Sequence, residues 1–525
     1  MQGGWHPEGS AGTPECPGTV RSLAWGRVTT FAVRTRVALC SALALAALPL
    51  TASAATDPLA RFHEQRLDWK SCVTGPDDAT GKELERSGAK CADVTVPLDY
   101  ANPGGRTITV AISRIRGTDT AHRVGPLLLN GGGPGGSTIG DAPWIHGELK
   151  GIAGRYDVVG VDPRFVGRST PLDCEWPTGT SLWSAPAQFD AGFAQNLAAL
   201  CRENAGDVLP YATTRNTARD MDVIRAALGE RKVSYLGYSY GSYLGEVYAT
   251  MFPARVERMV LDGVIDPARY SPRLLRVAEP ENRAALRDWA RWTATRHATY
   301  GLGTTTDAVL KTVDGIQAAA TRKPLTVGPY RVDERVVPMI LLTGLSQDND
   351  QAYGELARAV RHLAAKDAPA DPPPALLDAL KFVLTGDESS YGSAQSAILC
   401  GDVPTERDPE AYRRDIERGR LTDPLLAPMT RNIGPCAFWP APRETPTAVR
   451  DDFPALLVNA TGDPRTTYAG AVAQRRNWPS SRLITLAGPA QHAVFGVYGN
   501  ACADDGVRAY LASGRLPARD VTCRA

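Results

Sequence analysis

The sequence predicts an α/β fold: a mostly parallel, doubly wound sheet with a helical cap inserted after the sixth strand. Three observations predict it. Apolar runs of strand length alternate with helical patterns from residue 92 onward. One junction, residues 233–245, reads as a buried strand, a tight glycine turn and a helix. The alternation stops after Asp266-Pro267 and resumes near residue 455.

Strands are expected at 92–98, 107–116, 126–130, 156–162, 233–238 and 258–263. The later runs are continuously apolar, as parallel strands buried on both faces require. The first two have no helix between them and read as an antiparallel hairpin feeding the sheet. A helix at 216–228 starts after Thr213-Thr214-Arg215 and stops at Gly229. From 268 to 443 the pattern turns helical and charged, with helices at 284–299, 306–321, 336–343 and 351–366 and a Pro/Ala/Asp-rich loop or hinge at 367–375. That insertion, about 175 residues, is larger than a connecting loop. Strands return at 455–461 and 482–487. The domain reading is therefore leader 1–54, core 55–267, cap 268–443, and a second core segment at 444–525.

A chain of 525 residues, 43% hydrophobic, can bury a large core or two. Its 58 basic and 57 acidic residues leave a net charge of +1, which supports neither nucleic-acid binding nor a polybasic membrane anchor. Arg34 and Arg36 precede an apolar stretch at 37–50 that ends in Thr51-Ala52-Ser53-Ala54. This is the pattern of a secretory signal cleaved after Ala54, too short for a membrane span. Without a twin-arginine pair, the general export route and an extracellular location are expected. Residues 1–33 carry no periodic pattern and read as an extended leader or a misplaced start. Cys16 and Cys40 fall in the leader; eight cysteines follow it. Eight allow 105 pairings; the spacings suggest that neighbours join in order, 72 with 91, 174 with 201, 400 with 436 and 502 with 523. No C-x-x-C occurs and no histidine lies close to a cysteine pair, so no zinc site is expected.

Gly237-Tyr238-Ser239-Tyr240-Gly241 has the G-x-S-x-G spacing of a nucleophile elbow. The bare pattern is weak; the strand before it and the helix after it give it meaning. Such a turn presents the serine hydroxyl at the strand's end, with a helix N-terminus behind it that favours developing negative charge. A serine needs a base, and the base needs an orienting carboxylate. In α/β-hydrolases these follow in the order Ser, Asp or Glu, His. Asp463 and His492 fall in loops after the two returning strands, where open α/β sheets place their sites. Of seven histidines, His492 alone lies beyond Asp463. The oxyanion needs two amide donors. One is expected from Tyr240, the other from the loop Asn130-Gly131-Gly132-Gly133-Pro134-Gly135-Gly136-Ser137, with Gly133 first and Gly132 next. That loop lacks the ending of a phosphate-binding loop. Asp162-Pro163-Arg164 reads as a structural turn with a local ion pair. Glu279 and Glu281 are candidates for a cationic substrate group, with a solvated helix face as the commoner explanation.

These motifs together resemble the secreted bacterial tripeptidyl aminopeptidases, relatives of prolyl aminopeptidase among the α/β-hydrolases. The likeness rests on Gly131–Ser137, on Asp162-Pro-Arg-Phe-Val-Gly-Arg-Ser169, on Thr217-Ala-Arg-Asp-Met-Asp222, on the elbow, and on Arg258-Met-Val-Leu-Asp-Gly-Val-Ile-Asp-Pro267. It extends to the tail between Cys502 and Cys523. The resemblance implies a serine exopeptidase that releases short peptides from free N-termini beneath a helical cap; a monomer working through an acyl-enzyme, without metal or organic cofactor, is expected. Ser239, Asp463 and His492 fall on the family's triad positions. Three departures stand out. Phe165 sits where glycine is usual, Arg465-Thr466-Thr467 where a Thr-Pro pair is usual, and Gln491 where glycine is usual. The alternative reading is a secreted carboxylesterase or amidase with the same triad.

Overall fold

A nine-stranded sheet, ordered β1-β2-β4-β3-β5-β6-β9-β10-β11, carries the protein. Its strands in the computed structural model are β1 (Lys90–Pro97), β2 (Thr107–Ile115), β3 (Gly125–Asn130), β4 (Tyr156–Val161), β5 (Val233–Tyr238), β6 (Val256–Asp262), β9 (Leu456–Ala460), β10 (Arg482–Ala487) and β11 (Val521–Arg524). The structure describes residues 57–177, 189–365, 371–384 and 389–525. The leader and signal at 1–54, and residues 367–370 of the expected hinge, lie outside the described residues. β1 and β2 pair antiparallel, as does β2 with β4; every other neighbouring pair is parallel. This is the α/β-hydrolase arrangement.

The continuous apolar runs are explained by burial on both faces. In β5, Val233 and Tyr235 pack with Leu128, Met259 and Leu457 on one side. Leu236 and Tyr238 pack with Leu127, Leu129 and Val458 on the other. Because β3, β5, β6, β9 and β10 run parallel, their carboxyl ends share one edge, where the loops of interest emerge.

Between β6 and β9 the chain forms helices Glu279–Ala294, Thr306–Arg322, Val336–Gly344 and Asp350–Ala364, which share an apolar cluster including Trp289, Val313, Leu341 and Tyr353. The helix Ser389–Asp402 packs instead on the main core through Ala397 and Ile398. The wholly helical reading of this region misses a short hairpin, β7 (Leu325–Val327) with β8 (Tyr330–Val332). Strands of three residues carry too little pattern to be read. The terminal β11 was likewise not expected; it pairs with β10 and is tied to the helix Ala501–Ser513 by Cys502–Cys523. All four neighbouring cysteine pairs form disulfides, with Cα–Cα separations of 4.3–5.7 Å.

The expected local ion pair at Asp162-Pro163-Arg164 is not what forms. Arg164 pairs bidentately with Asp220, at 2.6 and 2.7 Å and 56 residues away. Asp162 instead accepts bonds from Ser137 Oγ and from the Thr138, Ile139 and Arg168 N–H groups, and so shapes the glycine loop after β3. Phe165 takes φ 69°, a left-handed conformation that glycine adopts without cost. Its buried ring offsets that strain.

Candidate active site

Ser239 occupies the turn between β5 and the helix Tyr240–Met251, at φ 56° and ψ −123°. The turn is held from two sides. Ser239 N–H donates to the Asp262 carbonyl at 2.8 Å, and its carbonyl accepts from Ser242 N and Ser242 Oγ. Gly132 lies so close that a Cβ there would meet Ser239 Cβ at 2.9 Å and the Tyr238 carbonyl at 2.8 Å. Only glycine fits that approach.

Asp463 and His492 meet. His492 Nδ1 lies 3.0 Å from both carboxylate oxygens of the fully buried Asp463. Asp463 also accepts from Arg465 N–H, Thr466 N–H and Thr466 Oγ1, at 2.8, 2.9 and 2.8 Å. With these donors in place the carboxylate is fixed, and His492 Nδ1 carries the proton while Nε2 is left as acceptor. Gly263 leaves room for the ring, since a Cβ there would stand 3.2 Å from His492 Cε1. The departure at Gln491 has a structural use. Its side-chain amide donates to the His492 and Ala493 carbonyls, both at 2.8 Å, and its oxygen accepts from Asp348 N–H. His492 N–H in turn donates to the Ser346 carbonyl. The loop carrying His492 is thereby laced to the inserted helices.

Ser239, Tyr240, Gly133 and His492 line one cavity of about 350 Å³, roofed by residues of the insertion such as Met339, Leu342 and Phe382. No hydrogen bond joins Ser239 Oγ to His492 in this state. Gly132 N–H is already used by Asn130 Oδ1 at 3.1 Å, whereas Gly133 borders the cavity. Tyr240 N–H opens a helix and has no partner in the helical ladder.

Of the two acids considered for a cationic group, Glu279 is not available. It is buried and bonded to Arg431 at 2.6 and 2.9 Å and to Thr430 Oγ1 at 2.5 Å. Glu281 keeps a buried Oε2 without a partner, and burial followed by repulsion from Asp463 raises its carboxyl above the usual range. It does not line the cavity. Thr466 and Asp262 were missed from sequence. Thr466 follows the acid by three residues and touches both members of the pair; its place in the Asp463 loop was the available signal.

Asp262, at the end of β6, ties the Ser239 turn to the loop carrying His492. Its carboxylate accepts from Phe495 N–H at 2.7 Å and from Val494 N–H at 3.0 Å. Burial pushes this carboxyl from 3.8 up to about 7, against the pull of those N–H groups and of His492. The folded chain therefore favours the neutral form. Its stabilising contribution is complete below pH 3.8 and is lost as pH rises through about 7. Across that window the unfolding temperature of the wild type should fall more steeply than that of Asp262→Asn, as followed by circular dichroism. Equal slopes would contradict the assignment.

Residues 423–523 match the model of a family described as TAP-like protein. Over 493 residues the chain is 36% identical to a tripeptidyl aminopeptidase of Streptomyces lividans, covering 88% of each. It is 31% identical to the serine protease Hip1 of Mycobacterium tuberculosis, covering 87% of this chain and 91% of that one. It is also 31% identical to a carboxylesterase B of Mycobacterium tuberculosis, covering 92% and 96%.

Proposed function

The chain belongs to the tripeptidyl aminopeptidase family of α/β-hydrolases and is a serine hydrolase, and we propose that it is a secreted exopeptidase releasing short peptides from free N-termini. In this reading Ser239 is the nucleophile, His492 the general base and then acid, and Asp463 the group that orients it. Residues 268–443 act as the cap that limits access. The observation that carries the reading is the Asp463–His492 pair at 3.0 Å, opening on the same cavity as the Ser239 elbow.

The chemistry follows from these positions. Ser239 Oγ attacks the substrate carbonyl as His492 Nε2 takes its proton. The carbonyl oxygen becomes an oxyanion, received by the Tyr240 and Gly133 N–H groups. His492 then passes the proton to the departing amine, leaving an acyl-serine. Water, deprotonated by the same nitrogen, releases the acid and restores Ser239. Asp463 holds Nδ1–H throughout. The Ser239–His492 hydrogen bond is expected to close when substrate seats, as such bonds often do.

A second reading, a carboxylesterase or amidase with the same residues, is favoured by one observation. No aspartate or glutamate lines the cavity among the described residues, whereas a substrate α-ammonium calls for one. A fluorogenic tripeptide amide, its N-acetylated twin and a short nitrophenyl ester separate the two. The exopeptidase should cleave the free tripeptide at least about tenfold faster than the acetylated one, the difference of one charge-assisted hydrogen bond. Equal rates, or turnover of the ester alone, would sink the exopeptidase reading.

A further inference from the structure

The cavity holds a cation that the proposed reaction does not use. Arg465, two residues beyond Asp463, lines it, and among the described residues no carboxylate forms an ion pair with its guanidinium. Its bonds go to neutral acceptors. Nη1 donates to Asn282 Oδ1 at 2.9 Å and to the Pro464 carbonyl at 3.2 Å, and Nη2 donates to the Leu342 carbonyl. Asn282 is itself fully buried and anchored, its amide donating to the Ala278 and Pro464 carbonyls at 2.8 and 2.7 Å. A guanidinium has five N–H donors. Three are thus engaged, which leaves Nε–H and one Nη2 proton without an acceptor among the described residues.

Arg465 is only partly buried, yet a charge drawn away from water is costly unless it is paired. Burial lowers the Arg465 guanidinium to about 10, with the Asp463 carboxylate opposing the fall, so it stays charged at neutral pH. Asp463 cannot serve as its partner through the side chain, because that carboxylate is saturated by His492, Thr466 and two backbone amides. The remaining donors form part of a planar fork of the kind that binds a carboxylate in two-point fashion. Because protein acceptors already hold the side chain, a ligand would order little on binding.

We propose that Arg465 is a specificity-determining residue that receives a carboxylate of the substrate inside the cavity beside Ser239. The proposal rests on the reading of Ser239 as nucleophile and adds a substrate class: peptides bearing an acidic side chain or a free C-terminal carboxylate within reach of the reacting bond. A purely structural role, tying the acid loop to the helix that carries Asn282, would instead affect all substrates alike.

The test uses matched pairs on the full mature chain. One arm compares fluorogenic tripeptide amides differing only as Glu against Gln at each position in turn. The other compares a short neutral peptide with a free and an amidated C-terminus. The wild type should prefer the carboxylate member of at least one arm by about 10- to 100-fold in kcat/KM, and the arm identifies its source. In Arg465→Met that ratio should fall to about one; in Arg465→Lys, which keeps the charge but not the fork, it should be intermediate. Ratios within one variant cancel any general loss of activity. Absence of a carboxylate preference in the wild type, which needs no variant to fold, overturns the proposal, as does a preference that survives Arg465→Met. Turnover retained by Ser239→Ala would instead overturn the underlying nucleophile assignment.

Discussion

Ser239→Ala should lower kcat/KM on every cleaved substrate by about 10⁶-fold, the loss seen when a serine protease is deprived of its nucleophile. The change removes one oxygen from a turn whose shape is set by other groups. Asp262 and Ser242 hold the backbone of Ser239, and Gly132 packs against its Cβ, which alanine retains. The fold should therefore survive, with an unfolding temperature close to that of the wild type. Initial rates and thermal unfolding followed by circular dichroism measure the two halves of this expectation. Activity above about one per cent of the wild type would mean that another residue attacks the substrate.

Asp220→Ala should cost about 3–5 kcal/mol of stability, the usual penalty for orphaning a buried charge. Arg164 is 0% exposed and Asp220 2%. Besides Asp220, the guanidinium donates to the Leu98, Tyr211 and Pro97 carbonyls, and Tyr100 donates its hydroxyl to Asp220 at 2.7 Å. Removing the carboxylate leaves a full positive charge among neutral acceptors. Replacing both partners, as in Arg164→Met with Asp220→Leu, should recover much of the loss, since neither charge is then stranded. Urea unfolding of the two variants measures the difference. Similar destabilisation in both would assign the cost to packing rather than to the unpaired charge.

The elbow was legible because everything it needs is local: a strand, a glycine turn and a helix within 13 residues (233–245). Asp463 and His492 could be named because chain order and strand ends restrict the choice, and only one histidine lies beyond the acid. Contacts spanning long separations were not legible in this way. Arg164 was read with its sequence neighbour, yet it pairs with Asp220. Glu279 looked available to a ligand, yet it is bonded to Arg431, 152 residues away. In both cases the nearest charge in sequence is not the nearest in space. Asp262 gave no local sign that its carboxylate would cap the loop carrying His492.

By itself, the sequence determined the sheet's parallel core and the order of the candidate groups along it, because periodicity, turn chemistry and chain order act over short distances; it only suggested the cysteine pairing that the fold shows. Only the tertiary structure decided which charges are neutralised and which are left facing the cavity. Pairing depends on side chains brought together from separate elements at low dielectric, and no local pattern encodes that. Arg465 illustrates the difference. In the sequence it is a substitution beside an acid; in the fold it is the one cavity-lining arginine among the described residues, held by neutral acceptors beside the proposed nucleophile.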